Sequence, residues 1–294
     1  MRPLIILGCG YIGARLARAA LAQGRHVRVC ARSTGRLAPL AELGAEVKYL
    51  DVAMPKQVPP ALASLPGATV VYSIPPIQIL PPREAMRRAL QAASGAHADC
   101  FIHFSSSGLY GETADDEVWV DEDTPTALDD PSMMGVQTDE DAIAQSTFDR
   151  LRPVILRLAP VYGPGRGVRA RLAKGTYRIL DEGQHAISRI HVDDVARVVF
   201  AAEEHAQAKS CYLVADDEPT TQGDYAAWLC KRMGLPLPPS RATFEVGKPR
   251  VAHRNRRIKN AKMKADLGVV LQYPSFREGE AAIEAEAAAA ESAQ

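Results

Sequence analysis

Three groups of residues have types and spacings that could do chemistry. Gly8, Gly10 and Gly13 sit in Gly8-Cys9-Gly10-Tyr11-Ile12-Gly13, a G-x-G-x-x-G spacing. Gly8 permits a tight turn, Gly10 lets the backbone approach a pyrophosphate, and Gly13 lets a helix pack closely on the strand before it. Tyr11 and Ile12 open that helix, whose N-terminus faces the phosphates. The second group is Ala31-Arg32-Ser33, with Arg36 nearby. It lies about 20 residues past the loop, where an acidic residue would accept hydrogen bonds from an adenosine ribose 2′-hydroxyl. A carboxylate there would repel a 2′-phosphate, whereas Arg32 can bind one bidentately. NADP is therefore favoured over NAD, with Arg32, Ser33 and Arg36 at the phosphate. The third group is Ser105-Ser106-Ser107, hydroxyls at the carboxyl end of an apolar segment.

These groups need a frame to hold them. Leu4–Leu7 is a short apolar strand, and a helical pattern runs from Tyr11 to about Gln23. Strands follow at 26–30, 46–50, 69–74 and 100–104, with a helical pattern over 82–94. The strand at 69–74 is almost wholly apolar, as buried parallel strands are. Its Ser73 is a candidate cofactor contact, and it runs into Pro75-Pro76, which forces extended backbone beside the cofactor. Asp51, after the third strand, is expected either to meet the adenine amino group or to cap the next turn. Strands alternating with helices predict an α/β fold with a Rossmann-like, doubly wound parallel sheet. Such sheets bind ligands beyond the carboxyl ends of their strands, which is where the serines fall.

The chain's 294 residues hold 35 Lys+Arg and 35 Asp+Glu. That balance gives no field to recruit nucleic acid or an anionic membrane. The five cysteines are scattered without a C-x-x-C pair, which argues against a zinc site or disulfide framework. The N-terminus superficially suggests a signal peptide, but its apolar run is broken by the glycine loop, and Arg15 and Arg18 follow on a helix. No apolar run is long enough to span a membrane. A cytoplasmic protein without metal is expected.

Longer blocks carry a resemblance. They are the glycine loop, Ser105-Ser106-Ser107-Gly108-Leu109-Tyr110-Gly111, Trp119-Val120-Asp121-Glu122-Asp123-Thr124-Pro125, Arg157–Arg166, Arg189–Ala196 and Tyr212–Pro219. In this order the chain resembles an extended short-chain dehydrogenase/reductase of the NAD-dependent epimerase/dehydratase type. The resemblance implies a dinucleotide-binding lobe over 1–165, completed by parts of 185–215. It also implies a smaller C-terminal substrate-binding lobe, mainly 166–276, with an Ala/Glu-rich helix or tail over 277–294 that frays from Glu280. Ser106 takes the family's Ser/Thr position, which orients a substrate oxygen. Pro160 and Val161 would line the nicotinamide end. His191 is read as structural, and Asp193 and Asp194 as capping and dipole partners of a helix; a hydrolytic triad of these three residues is disfavoured. The family also implies a small-molecule substrate, such as a nucleotide sugar, and a homodimer through the helices beside the sheet.

The family's chemistry uses Tyr-x-x-x-Lys on one helical face, with the Lys lowering the pKa of the phenol that exchanges a proton. Against that pattern Met134 occupies the Tyr position and Thr138 the Lys position, and neither can do the task. Residues 131–147 contain neither Tyr nor Lys. Tyr110 and Tyr162 are the nearest phenols in the family blocks, and packing is the favoured role of each. Two functions therefore stay open. One is an NAD(P)-dependent oxidoreductase or epimerase/dehydratase-like enzyme with an atypical site. The alternative is a catalytically inactive NADP-binding regulatory or scaffold protein.

In the second half, Arg166, Arg169 and Arg171 either face an anionic substrate or, preferably, are solvated helix charges. Thr221 and Asp224 fit a capping box for a helix ending at Gly234. The basic stretch Lys248, Arg250, His253, Arg254, Arg256, Arg257, Lys259, Lys262 and Lys264 lacks interleaved aromatics and is not read as a nucleic-acid patch. The resemblance instead sets Arg256, Arg257 or Asn260 beside the substrate.

Overall fold

The computed structural model describes residues 1–77, 79–111, 118–127, 130–242 and 255–292. Seven parallel strands form the main sheet. They are β1 (Leu4–Leu7), β2 (Val27–Ala31), β3 (Glu46–Tyr49), β4 (Thr69–Tyr72), β5 (Cys100–Ser106), β6 (Arg152–Leu158) and β7 (Cys211–Val214). Their spatial order is β7-β6-β5-β4-β1-β2-β3. The order reverses between β1 and β4, so the crevice of this doubly wound sheet opens at the carboxyl ends of those two strands.

The helices that matter for the site are α1 (Tyr11–Ala22), α2 (Glu84–Gly95), α3 (Met134–Ala144), α4 (Val192–His205), α5 (Gln222–Met233) and α6 (Phe276–Ser292). Side chains alternate across β5. Cys100 and Ile102 join the core layer shared with α1 and α4, whereas Phe101 joins the layer shared with α2 and α3. A third apolar cluster lies in the C-terminal part and unites Tyr162, Tyr177, Tyr225 and Phe276. No helix among the described residues is long and apolar enough to cross a membrane.

Several details differ from the expectations. β5 runs through Ser105 and Ser106 rather than ending at Phe104, because it pairs with β6 as far as Ser106↔Leu158. β6 is not among the strands expected from sequence. Arg152 and Pro153 begin it and Arg157 interrupts its apolar run, yet Arg157 is held there by Glu140. The C-terminal helix does not fray from Glu280. Glu280 is buried, and it takes an ion pair from Arg169 and a hydrogen bond from the Tyr225 hydroxyl. Arg169 and Arg232 both pair with Glu284 one turn on, so Arg169 is a clamp and not a solvated charge. The α5 cap is as expected: the Asp224 amide donates to the Thr221 hydroxyl at 3.0 Å, and Gly234 ends the helix in the left-handed region.

Candidate functional site

The glycine loop is shaped by close approach. Gly8 has φ +88°, and a Cβ there would lie 2.7 Å from Ile74 Cγ1 and 2.9 Å from the Ser73 carbonyl carbon. The loop thus sits directly against the end of β4. A Cβ on Gly13 would lie 3.0 Å from Ile6 Cγ2, so the helix rests on its own strand. Gly10 meets nothing within 4 Å, which leaves its backbone open to approach. No side chain caps the N-terminus of α1. Uncapped amides in the first turn of α1, over an open glycine backbone, could hold a dinucleotide pyrophosphate.

From this loop a cleft of about 910 Å³ extends along the carboxyl edge of the sheet. Ile12, Ser73, Pro160 and Val161 line it, together with Ser105, Ser106 and Ser107. The structure therefore brings these expected residues into one cavity. The Ser106 hydroxyl accepts a hydrogen bond from the Gly108 amide at 3.0 Å and caps the short turn Ser107–Tyr110. Tyr11 donates to the Pro164 carbonyl at 3.1 Å, and the Arg166 guanidinium lies 5.1 Å from its ring. Arg166 also lines the cleft.

α3 departs from its expected orientation. Met134 is 60 % exposed, and Met134 and Thr138 face a small separate hollow. The Thr138 hydroxyl donates to the Met134 carbonyl at 2.6 Å. The positions four apart that do line the cleft are Ser132 and Val136, followed by Asp139. The register is thus displaced by two residues. The reason is visible at Gly135, where a Cβ would meet Pro76 at 2.5 Å, so the helix seats this residue against the proline segment. Among the described lining residues there is neither Tyr nor Lys.

α3 carries two adjacent buried acids. Glu140 is 4 % exposed and fully partnered: it accepts from Arg157 at 3.0 and 2.7 Å and from the Ser105 hydroxyl. Arg157 also donates to the Tyr110 hydroxyl at 2.6 Å. Asp139 is 6 % exposed, and its Oδ2 has no hydrogen-bond partner among the described residues. Burial pushes its carboxyl up to about 7. His103 lines the same cleft with both ring nitrogens unpartnered among the described residues, and burial pushes it down to about 4. Neither residue was legible as a site from sequence. The signals were a histidine inside the apolar run of β5 and paired acids in a helix with little apolar stripe.

Arg32, Ser33 and Arg36 lie just past β2, where Arg32 and Ser33 are exposed to solvent. The Asp51 carboxylate accepts from the Ala53 amide at 3.0 Å, which is the turn-capping alternative. Burial pushes the Tyr110 hydroxyl up to about 12 and raises that of Tyr162 further, and neither ring lines the cleft. His191 packs edge-on to Tyr162 and Tyr273 and itself caps α4, its Nδ1 accepting from the Asp193 amide. Asp193 binds Arg15 bidentately, and Asp194 holds the Gln272 and Tyr273 amides. No hydrolytic triad is assembled among the described residues of this turn. Arg256 lines the cleft and donates to the Ser107 carbonyl at 2.7 Å. Arg257 lies in a strand pair with Trp119, and Asn260 donates to the Ala215 and Asp216 carbonyls. Lys248, Arg250, His253 and Arg254 lie outside the described residues.

A second chamber of about 530 Å³ shares Pro160 and Val161 with the cleft. Arg171, Arg178, Arg189 and Arg241 line it with His185 and Gln222. Arg189 is 3 % exposed, stacks 4.1 Å from the Tyr225 ring, and keeps Nη1 without a hydrogen-bond partner among the described residues.

Comparison with known proteins agrees with this fold. Residues 4–215 match the model of the NAD-dependent epimerase/dehydratase family. A conserved protein of unknown function from Silicibacter pomeroyi DSS is 29 % identical, with a TM-score of 0.80 over 97 % of this chain and 99 % of that one. A protein from Methylobacillus flagellatus, described provisionally as an NAD-dependent epimerase/dehydratase, is 26 % identical, with a TM-score of 0.72 over 97 % and 98 %. The UDP-glucose 4-epimerase of Thermus thermophilus, solved with NAD, shares the fold at 20 % identity, with a TM-score of 0.78 over 95 % and 96 %. No curated protein sequence matches the chain.

Proposed function

The chain belongs to the NAD-dependent epimerase/dehydratase family, and from that premise we propose that it is an NADP-dependent oxidoreductase or epimerase-like enzyme acting on a small anionic substrate. The observation that carries the reading is continuity. One cleft runs from the first turn of the glycine-loop helix to the Ser106 turn, and a basic chamber abuts it, with Pro160 and Val161 lining both. Gly8, Gly10, Tyr11, Ile12 and Gly13 would hold the pyrophosphate, and Ser73, Pro160 and Val161 would border the nicotinamide. The bound nicotinamide supplies reversible hydride transfer. Arg32, with Ser33 and Arg36, stands where a 2′-phosphate would lie, and none of these three side chains is a carboxylate that would repel it.

The substrate end follows from charge. Arg171, Arg178, Arg189 and Arg241 suit phosphate oxygens, and the buried Arg189 Nη1 is one unsatisfied donor among the described residues. One structural relative is a UDP-glucose 4-epimerase. The diphosphate of such a nucleotide sugar would take this chamber while the sugar lies toward Ser106. The Ser106 hydroxyl, fixed by the Gly108 amide, orients a substrate oxygen. A non-catalytic NADP-binding regulator is the second reading, favoured by the lack of Tyr and Lys among the described cleft residues.

Thermal unfolding with NADP⁺, NAD⁺, NADPH and NADH tests the cofactor. A ligand at a hundred times its dissociation constant adds about 2.7 kcal/mol of stability. NADP(H) should stabilise the wild type more than NAD(H), and Arg32→Ala should remove the difference. No shift with any dinucleotide overturns the reading. Binding without turnover over a panel of carbonyls and nucleotide sugars selects the regulator.

A further inference from the structure

The missing phenol leaves the cleft without its usual proton donor, yet the cleft is not short of polar hydrogen-bonding groups. Three buried side chains near the carboxyl edge of the sheet carry unfilled polar atoms. Asp139 comes from α3, Tyr72 from the end of β4, and His103 from β5. The Tyr72 and His103 rings are 5.8 Å apart. Asp139 and His103 line the cleft. All three carry polar atoms with no hydrogen-bond partner among the described residues. Buried polar groups in folded proteins are ordinarily satisfied, so a cluster of unsatisfied ones opening on a cavity points to a ligand or water that completes them.

We propose that Asp139 is the proton-exchanging group of this cleft, with His103 and Tyr72 as positioning residues beside it. The inference rests on the enzyme reading above. When a carbonyl is reduced, with a reduced nicotinamide as hydride donor, the Asp139 O–H bond breaks and an O–H bond forms on the substrate oxygen. Asp139 is left as a carboxylate and regains its proton from solvent. In the oxidising direction the carboxylate takes the hydroxyl proton. Burial supports this assignment because it keeps the acid protonated up to about neutral pH while His103 stays neutral. His103 and Ser105 line the same cleft as Asp139, and Tyr72 stands beside His103 at the end of β4. The Glu140–Arg157 pair lies behind, and Arg166 and Arg256 stand along the same cleft.

Two measurements on the full chain test the proposal. The first is an isotope-edited carboxyl NMR titration of cofactor-free wild type and Asp139→Asn. A carboxyl that titrates near neutrality in the wild type should be missing from the variant, while the raised Asp194 and Asp216 carboxyls keep their signals. An Asp139 that is ionised throughout, with no such signal, overturns the proposal whether or not the variant folds. The second is turnover of NADPH with a panel of aldehydes, ketones and nucleotide sugars. Asp139→Asn should lower kcat about a hundredfold or more, leave NADPH binding unchanged, and abolish the loss of reduction rate as pH rises through about 7. A variant with wild-type kcat and pH profile overturns the proposal and leaves the enzyme reading intact. A wild type that binds NADPH but turns nothing over removes the enzyme reading, and proton transfer with it.

Discussion

Asp139 and Glu140 are neighbours on one helix, equally buried, and treated in opposite ways. Glu140 meets Arg157 through two hydrogen bonds and a third donor in Ser105. The Asp139 Oδ2 has no hydrogen-bond partner among the described residues. A buried carboxylate is tolerated when its charge is matched and its lone pairs are filled; otherwise it keeps its proton. The first arrangement is how a fold ties a helix to its sheet. The second costs stability, and it opens on the cleft. The contrast teaches that satisfaction of hydrogen bonds, more than burial, separates the scaffold acid from the chemical one.

The largest effect should come from breaking the satisfied side. Glu140→Ala strands Arg157 in a pocket built for an ion pair, and loss of one partner of a buried pair costs about 3–5 kcal/mol. Denaturant unfolding should show that loss at neutral pH, and a loss near zero would mean the pair is solvated. Asp139→Asn should do the reverse. An acid whose folded pKa is raised stabilises the fold while protonated, fully below its ordinary range near 4, and that contribution disappears as pH rises through about 7. The variant should therefore gain on the wild type between pH 4 and 8, by roughly 2–4 kcal/mol at one unit per 1.36 kcal/mol. Parallel stability curves for the two proteins would place Asp139 among the ordinary carboxylates and erase the contrast.

How much of this was readable beforehand follows from what each feature depends on. The glycine loop, the parallel sheet and the serine turn are local patterns, since strand periodicity and turn chemistry sit in adjacent residues. The register of α3 is not local. It is set by Gly135 closing on Pro76, more than fifty residues away in sequence, and so Met134 and Thr138 were assigned the cleft positions that Ser132 and Val136 hold. β6 was hidden for a similar reason. Arg157 looks like a strand breaker until Glu140 supplies its partner. The C-terminal helix looked loose because its Ala-rich face carries no signal, while Arg169, Tyr225 and Arg232 that anchor it lie far upstream. The arginines of the second chamber were equally invisible as a group, since Arg171, Arg189 and Arg241 converge only through the fold.

The smallest expected effect sharpens the comparison most finely, because it uses the same substitution on both sides. Tyr110 and Tyr72 are both buried phenols next to β5. Tyr110 takes a hydrogen bond from Arg157, which stacks on its ring at 5.1 Å, whereas the Tyr72 hydroxyl has no partner among the described residues. Tyr110→Phe should cost about 1.5–3 kcal/mol, the usual worth of a hydrogen bond to a charged group. Tyr72→Phe removes a buried hydroxyl that has no partner among the described residues, so it should be neutral or stabilise by up to about 1 kcal/mol. Urea midpoints at constant slope read the difference directly. If Tyr72→Phe instead destabilises as much as Tyr110→Phe, an ordered water already satisfies the Tyr72 hydroxyl, and the group around Asp139 is a hydrated scaffold like its neighbour.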